Sequence, residues 1–475
     1  MKGYLRKLGE EVLSFFLEFI PYEKLESIET KIAADPQAIL NLSDKLPQSI
    51  LNIYFRSSIR RKVIEWAKRS VKEVDAYRNF LAKKGIEPKK VYRGIYFRYD
   101  YLENLPFFRY LLKFMRKRSD MLRGEVEFSE LPILTKENYV IRYDVQKRIR
   151  KGMKVFKIVE SSGFFGKPTR WPRSKKEWEY LAKRSIYGML FAMRNYGIKL
   201  RKGNFSVLNC FGKGWIAYDT FDFATRELRR RKSLWSGPNP ERMLEYLLKL
   251  LEDEQDVIII GAYPPNLVQM IELAKKNRVD LKKEIGKRRV AALVGGEGMT
   301  AESVYKIRKE SGIVCVRAYG LADVRPNVAV STPTTDFIQL VLERYKGIRK
   351  KLLGSDEFIP IFVGLYDSMN IYLETLKGRI YCGKEYVGKV NLLIFTNVSP
   401  YQISPMPRYC PFDSGIVLAQ EKVKEVFKKY GIKLKFEQPL DLVFVFGRAD
   451  GTLILAGANV YRQQIELALI NSSIL

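Results

Sequence analysis

Four short, almost wholly apolar runs recur through the middle of the chain, at 205–210, 257–260, 290–294 and 314–318. Each is too short for a buried helix and ends in small or turn-forming residues, so each reads as a strand buried on both faces. Helical spacing fills the intervals, as at 267–276. Strands of this kind alternating with helices predict an α/β fold whose sheets are flanked by helices. Open sheets of that class bind ligands just beyond the carboxyl ends of their strands. Several residues stand at or just after these ends: Cys210 and Gly212, Tyr263 and Pro264, Gly295-Gly296-Glu297, and Ala318-Tyr319.

Another strand signal, at 155–159, runs into Ser161-Ser162-Gly163-Phe164-Phe165-Gly166-Lys167-Pro168-Thr169. Ser174-Lys175-Lys176-Glu177 then has the form of a capping box, ahead of a helix with Trp178, Leu181, Ile186 and Leu190 on one side. Strand, small polar loop and helix is an arrangement in which backbone N–H groups can converge on phosphate oxygens. Gly163 and Gly166 would let the backbone approach closely, and Lys167 adds positive charge. This is not a Walker A loop, because the spacing is too short and Pro168 stands where a hydroxyl would hold magnesium. Taken alone, the same residues suit an ordinary strand-to-helix turn.

Composition narrows the chemistry. The 475 residues include no histidine, which excludes Ser-His-Asp triads, His-based acid–base catalysis and His-ligated metals. The four cysteines (Cys210, Cys315, Cys382 and Cys410) form no CxxC pair, and a reduced, cytoplasmic protein is the simplest expectation. Lys plus Arg number 84 against 53 Asp plus Glu, a net charge of +31. That excess fits either a basic surface composition or a polyanionic partner.

At this length two or three domains are expected. Residues 1–24 place Leu5, Leu8, Val12, Phe16, Phe19 and Ile20 near one helical face, either a docking helix or a membrane-surface helix. No stretch is apolar enough to span a bilayer. Residues 45–120 read as basic helices, with Arg56, Arg60, Arg61, Lys62, Lys68 and Arg69 in one group. Phe97, Tyr99 and Tyr101 alternate, as in a packed strand face or a nucleic-acid stacking surface. Residues 343–353 read as a basic helix and 389–395 as a strand.

Six segments, in order along the chain, resemble the motifs of adenylate-forming enzymes, in particular the phenylacetate–CoA ligase branch. Leu131-Pro132-Ile133-Leu134-Thr135-Lys136-Glu137 is similar to that branch's opening motif, and 161–169 to its phosphate loop. Gly295-Gly296-Glu297 and Tyr319-Gly320-Leu321-Ala322-Asp323 resemble its nucleotide motifs, and Arg408-Tyr409 with Phe412-Asp413 its ribose motif. Gly447-Arg448-Ala449-Asp450, followed by 455–461, resembles the hinge and the start of a mobile C-terminal domain. The resemblance implies a basic, mainly helical region over 1–130 packed on the core, an adenylate-forming domain over 131–447, a hinge at 448–450 and a C-terminal domain cut short over 451–475. It also places a catalytic lysine beyond Leu475, so either the sequence is truncated or the group is lacking.

By that resemblance Ser161, Ser162, Gly163, Gly166 and Lys167 would surround the phosphates of ATP, although Phe164 and Phe165 stand where the family usually has hydroxyls. Gly295, Gly296 and Glu297 would pass beside adenine, and Tyr319 would stack on it. Asp323 would take the magnesium-associated position, Asp413 would hold the ribose, Arg448 would contact the nucleotide and Asp450 would act as the hinge. Lys167, Asp323 and Arg448 would carry catalysis. Cys210, Gly212, Tyr218, Tyr263, Pro264 and Ala318 would line a pocket for an aryl or medium-sized acid. The implied reaction joins a carboxylic acid to AMP using ATP and Mg2+, then passes the acyl group to CoA or another thiol. The absence of histidine is compatible with it, since a carboxylate of pKa about 4 is ionised at neutral pH and needs no base. A non-catalytic nucleotide-binding relative, or a ligase acting on a polyanion or a deazaflavin-type cofactor, are the alternatives. The oligomeric state stays open, with a dimer compatible.

Overall fold

The structure, a computed structural model, describes residues 11–12, 48–97, 126–164, 167–200, 203–253, 257–382, 385–438, 440–449, 453–455 and 458–460. Within these ranges the side chains of 48–53, 56–57, 161–168, 378–389 and 453–460 are outside the description. The amphipathic segment 1–24 lies outside it apart from residues 11–12, as do Tyr99, Tyr101, the turn 165–166 and Asp450.

The N-terminal part is helical, with helices Gln48–Glu73, Asp75–Lys83 and Pro88–Arg93. Ile59, Val63, Trp66, Ala67 and Val71 recur at three- and four-residue spacing and are all buried. They join one apolar cluster with Trp171, Val324, Phe395 and Val443, so this helix packs into the main core. Its basic run is not wholly a solvated face. Arg61 and Lys62 are buried, Arg61 pairing with Glu65 at 2.7 Å and the Lys62 ammonium donating to the Met369 carbonyl at 2.7 Å. Two short strands, β1 (Ile95–Tyr96) and β2 (Val126–Glu127), pair in parallel beside it.

Strands β3 (Lys157–Phe164) and β4 (Lys167–Arg173) form an antiparallel hairpin, with Ser161 opposite Thr169 and Phe164 opposite Lys167. This corrects the expected strand–loop–helix order. Thr169 and Trp171 are buried while Arg170 between them is exposed, the alternation of a second strand. The helix begins only at Lys175, with Ser174 Oγ accepting the Glu177 N–H at 3.1 Å as the capping pattern predicts. The seven residues of β4 carry the chain about 24 Å beyond the hairpin turn, so this helix N-terminus does not serve the loop.

The remaining large strands form one eleven-stranded sheet. They are β5 (Phe205–Asn209), β6 (Ser233–Trp235), β7 (Val257–Ala262), β8 (Arg289–Gly295), β9 (Val314–Leu321), β10 (Arg325–Val330), β11 (Phe362–Tyr366), β12 (Ile371–Cys382), β13 (Glu385–Asn397), β14 (Asp413–Leu418) and β15 (Leu442–Arg448). The spatial order is β12-β13-β14-β15-β11-β10-β9-β8-β7-β5-β6. The four apolar runs of the sequence are β5, β7, β8 and β9; β6, β5, β7, β8 and β9 are mutually parallel, and every pairing from β9 to β12 is antiparallel. Helices cover the parallel half, including Ile216–Glu227, Pro240–Leu251, Pro264–Lys276 and Ala301–Ser311. The helix expected over 343–353 is instead two, Pro333–Arg344 and Lys346–Leu353, broken at Tyr345 by an extended backbone (φ −110°, ψ 94°). Strands β16 (Leu453–Leu455) and β17 (Ala458–Val460) form a small separate hairpin.

Candidate active site

Asp413 opens β14, directly opposite Arg448 at the end of β15. Opposed residues of an antiparallel pair project to the same side, and Arg448 Nη1 donates to Asp413 Oδ1 at 2.8 Å. Phe412, just before, holds a left-handed backbone (φ 69°) while its carbonyl accepts the Ala449 N–H at 2.8 Å. That strained residue aims Asp413 inward, as strained backbone often does at functional sites. The other carboxylate oxygen accepts from the Tyr319 phenol. Asp413 is 4% exposed, and burial raises its carboxyl pKa against the opposing pull of Arg448 and the phenol. Burial and the Asp413 charge together push the Tyr319 phenol well up, so it remains a neutral donor. Its ring lies 5.8 Å from Phe362 and 6.4 Å from Phe395, and part of the residue stays open to solvent.

Tyr319 and Asp413 meet across four strand spacings, from β9 through β10, β11 and β15 to β14. On a flat sheet that is about 19 Å, more than the two side chains span. The accumulated twist of the antiparallel half therefore curls β14 back toward the end of β9.

A second group forms at Asp323, in the turn from β9 to β10. Its Oδ2 accepts the Tyr409 hydroxyl at 2.6 Å and faces the Lys136 ammonium at 3.8 Å. Three segments met separately in the sequence are joined here by backbone bonds. Leu134 N–H donates to the Arg408 carbonyl at 3.0 Å, Cys410 N–H to the Leu134 carbonyl at 2.8 Å, and Tyr409 exchanges both bonds with Phe395 at 2.7 and 2.8 Å. Arg408, itself left-handed at φ 55°, secures the opening motif by donating to the Leu131 carbonyl at 2.6 Å and to Glu374 Oε2 at 3.2 Å. Behind Asp323, buried Arg173 pairs with Glu177 at 3.0 Å and donates to the Ala322 carbonyl at 3.0 Å. Glu177 also accepts the Ile403 N–H at 3.1 Å, so it braces the site where a capping box would turn it back on Ser174. Lys136, Arg173, Glu177 and Tyr409 were not among the sequence candidates. Lys136, Tyr409 and Glu177 sat inside quoted motifs, Glu177 as the last residue of the capping box, whereas Arg173 had only its four-residue spacing to Glu177 as a signal.

Gly295 ends β8 and Gly296 follows it. A Cβ at Gly295 would lie 2.8 Å from the Ala318 carbonyl oxygen of the adjoining strand, and one at Gly296 (φ 88°) 2.9 Å from the Tyr263 ring. Protein atoms already require both glycines. Tyr263 sits 5.1 Å from Phe211 and 6.0 Å from Trp215, in an aromatic group that continues through Trp235 to Tyr218 at 6.3 Å. Gly212 lets Trp215 approach to 3.5 Å of its Cβ position. The Tyr263 phenol is buried without a hydrogen-bond partner among the described residues, and burial, then the charge of Glu297, pushes it up to about 12. Pro264 follows, at the first position of its helix. Cys210 does not join this group. Strand alternation turns it to the opposite face, among Met243, Leu247 and Met270, and burial raises its thiol to about 12, so it is an inert core residue. The phosphate-loop side chains Ser161, Ser162 and Lys167 lie outside the described residues, and only the hairpin backbone of that segment is defined.

Solved structures carry the same architecture. A 2-hydroxyisobutyryl-CoA ligase in complex with 2-HIB-AMP and CoA, in its thioesterification state, matches 90% of this chain and 74% of its own at a TM-score of 0.57 and 13% identity. An open conformation of that ligase, also with 2-HIB-AMP and CoA, matches 88% and 80% at 0.55 and 13%. The chain has the adenylate-forming fold. At such identity the likeness is one of fold, and the branch within it is not shown. No family model matches the chain, and no curated protein matches it in sequence. Segments 131–137, 319–323 and 408–413 of this chain meet at Asp323 and Asp413. No helix among the described residues is long and apolar enough to cross a membrane.

Proposed function

We propose that the chain is an ATP-dependent acid–thiol ligase that activates a carboxylic acid as its acyl-adenylate and passes the acyl group to CoA or another thiol. The observation that carries this reading is Asp413, buried at the head of β14 between Arg448 and Tyr319. An ionised carboxylate has about four acceptor positions, so two remain for the ribose hydroxyls once Arg448 and Tyr319 are counted. Tyr319 offers its ring to the base, and Arg448 opposes the upward push that burial puts on the Asp413 carboxyl. The acid attacks in its ionised form, so the site's task is alignment and positive charge, to which Lys136 and Lys167 contribute.

The residues present fit magnesium in one limited way. Oδ2 of Asp323 is engaged, which leaves Oδ1 as a single hard-oxygen ligand. No cluster of three metal-binding side chains occurs among the described residues, so the ion would arrive on the nucleotide phosphates, where it neutralises charge developing at phosphorus. The acid would lie against Gly212, Tyr218, Tyr263, Pro264 and Ala318, a wall suited to an aryl or medium-sized acyl group. Assignment to the phenylacetate–CoA ligase branch rests on the motifs alone. One observation favours a non-catalytic nucleotide binder as second reading: Lys136 already places a cation 3.8 Å from the carboxylate that would hold the metal.

Acid-dependent exchange of labelled pyrophosphate into ATP tests the proposal, with a panel of aryl and medium-chain acids and Mg2+. Exchange with any acid supports the ligase. AMP binding without exchange supports the second reading, and no binding of either nucleotide removes both.

A further inference from the structure

We propose that a small monovalent anion of the chloride type binds between the helices Gln48–Glu73 and Lys175–Asn195 and strands β10 and β11. These elements enclose a cavity of about 40 Å³ that Phe55, Phe191 and Met369 help to line and that Arg184, Arg325 and Asp367 enter. The charges do not balance. Arg184 Nη2 lies 2.9 Å from Asp367 Oδ2, and Arg325 Nη1 lies 2.8 Å from the same oxygen. Two guanidiniums thus share one carboxylate, and both arginines are at least 96% buried. Asp367 is the carboxylate whose charge acts on both guanidiniums.

Two N–H donors at this point have no hydrogen-bond partner among the described residues, Arg184 Nη1 and Arg325 Nε. Buried donors and buried charge are both costly when unmet. Water would satisfy the donors but leave the charge, whereas an anion answers both. Size then selects the ligand. The free space of about 40 Å³ is room for a few water-sized bodies at most, a halide among them. The neighbouring groups Tyr180, Tyr187, Asn370 and Gln438 are already bonded in pairs, Tyr180 to Asn370 at 2.8 Å and Tyr187 to Gln438 at 3.0 Å. The ion would cross-link the helix carrying Arg184 to β10, two residues from Asp323.

Bromide serves as the probe. Crystals of the full chain grown in sodium bromide are expected to show an anomalous peak beside Arg184 and Arg325. In solution the thermal midpoint should rise saturably with bromide relative to gluconate, an anion too large for the cavity, at matched ionic strength. Arg184→Gln makes the Arg325–Asp367 pair neutral, so the bromide-specific rise should vanish in that variant. If Arg184→Gln does not fold, the crystallographic peak of the unaltered chain decides alone. A cavity holding only water, equal midpoints in the two salts, or a bromide rise that persists unchanged in Arg184→Gln overturns the proposal.

Discussion

Replacing Asp413 by asparagine separates a nucleotide ligand from a purely structural ion pair. In the folded chain Oδ1 takes Arg448 Nη1 at 2.8 Å and Oδ2 takes the Tyr319 phenol. Asparagine keeps the volume and one acceptor oxygen, which will turn toward Arg448. Its amide N–H then meets the phenol oxygen, which can accept. Both bonds survive but lose the charged acceptor, a weakening of about 1 kcal/mol each. Desolvation works the other way, because burial already raises the Asp413 carboxyl pKa and a neutral amide escapes that cost. The opposing effects leave a stability change of about 1 kcal/mol or less. Nucleotide binding has no such offset. A ribose diol donates two O–H groups; the asparagine oxygen can still accept one, without its charge, but the amide nitrogen accepts none, so the second bond is lost, about 2 kcal/mol together. That corresponds to AMP binding roughly 30-fold weaker. Titration calorimetry with AMP and urea unfolding on the same Asp413→Asn protein provide the two numbers. Unchanged AMP affinity in the folded variant would refute the ribose assignment. A loss of several kcal/mol in stability with no nucleotide effect would make Asp413 a core ion pair instead.

The other expectations concern charge. Arg184 and Arg325 hold the Asp367 carboxyl far below its ordinary range. The stability it contributes is therefore present above the unfolded pKa of about 4 and is lost as pH falls below it. Urea midpoints between neutral and acid pH should show a shallower acid slope in Asp367→Asn, and an identical slope would refute the coupling; Asp413, its carboxyl raised, has the opposite sign and loses stability as pH climbs through its window. If the net charge of +31 serves a polyanionic partner, the concave surface of about 450 Å³ that Lys83, Arg142 and Lys147 line beside Asp144 is where it is expected to bind. Binding of duplex RNA there should fall steeply with salt and weaken in Lys83→Ala/Arg142→Ala, whereas a flat salt response would leave only surface composition.

What could be read along the chain was what depends on neighbours in sequence. The strands β5, β7, β8 and β9 were legible because a run buried on both faces needs only consecutive apolar residues. The helix from Lys175 was legible because its cap and apolar stripe are local. The histidine-free composition excluded whole classes of chemistry without any structure. The β3–β4 hairpin was written in the alternation of Thr169, Arg170 and Trp171, but the glycines and lysine beside it suggested a loop into a helix.

Tertiary packing decided the rest, because each remaining feature depends on residues far apart in sequence. Tyr319 reaches Asp413 only because twist accumulated over four strand spacings curls the sheet. Lys136 faces Asp323 because Leu134 pairs with the backbone around Tyr409. Arg61 and Lys62 are drawn inward because the rest of their helix face must be buried, which no count of basic residues reveals. Cys210 follows the same logic in reverse. It ends a strand at the right height for a site, yet the two-residue alternation of that strand delivers its side chain to the opposite layer.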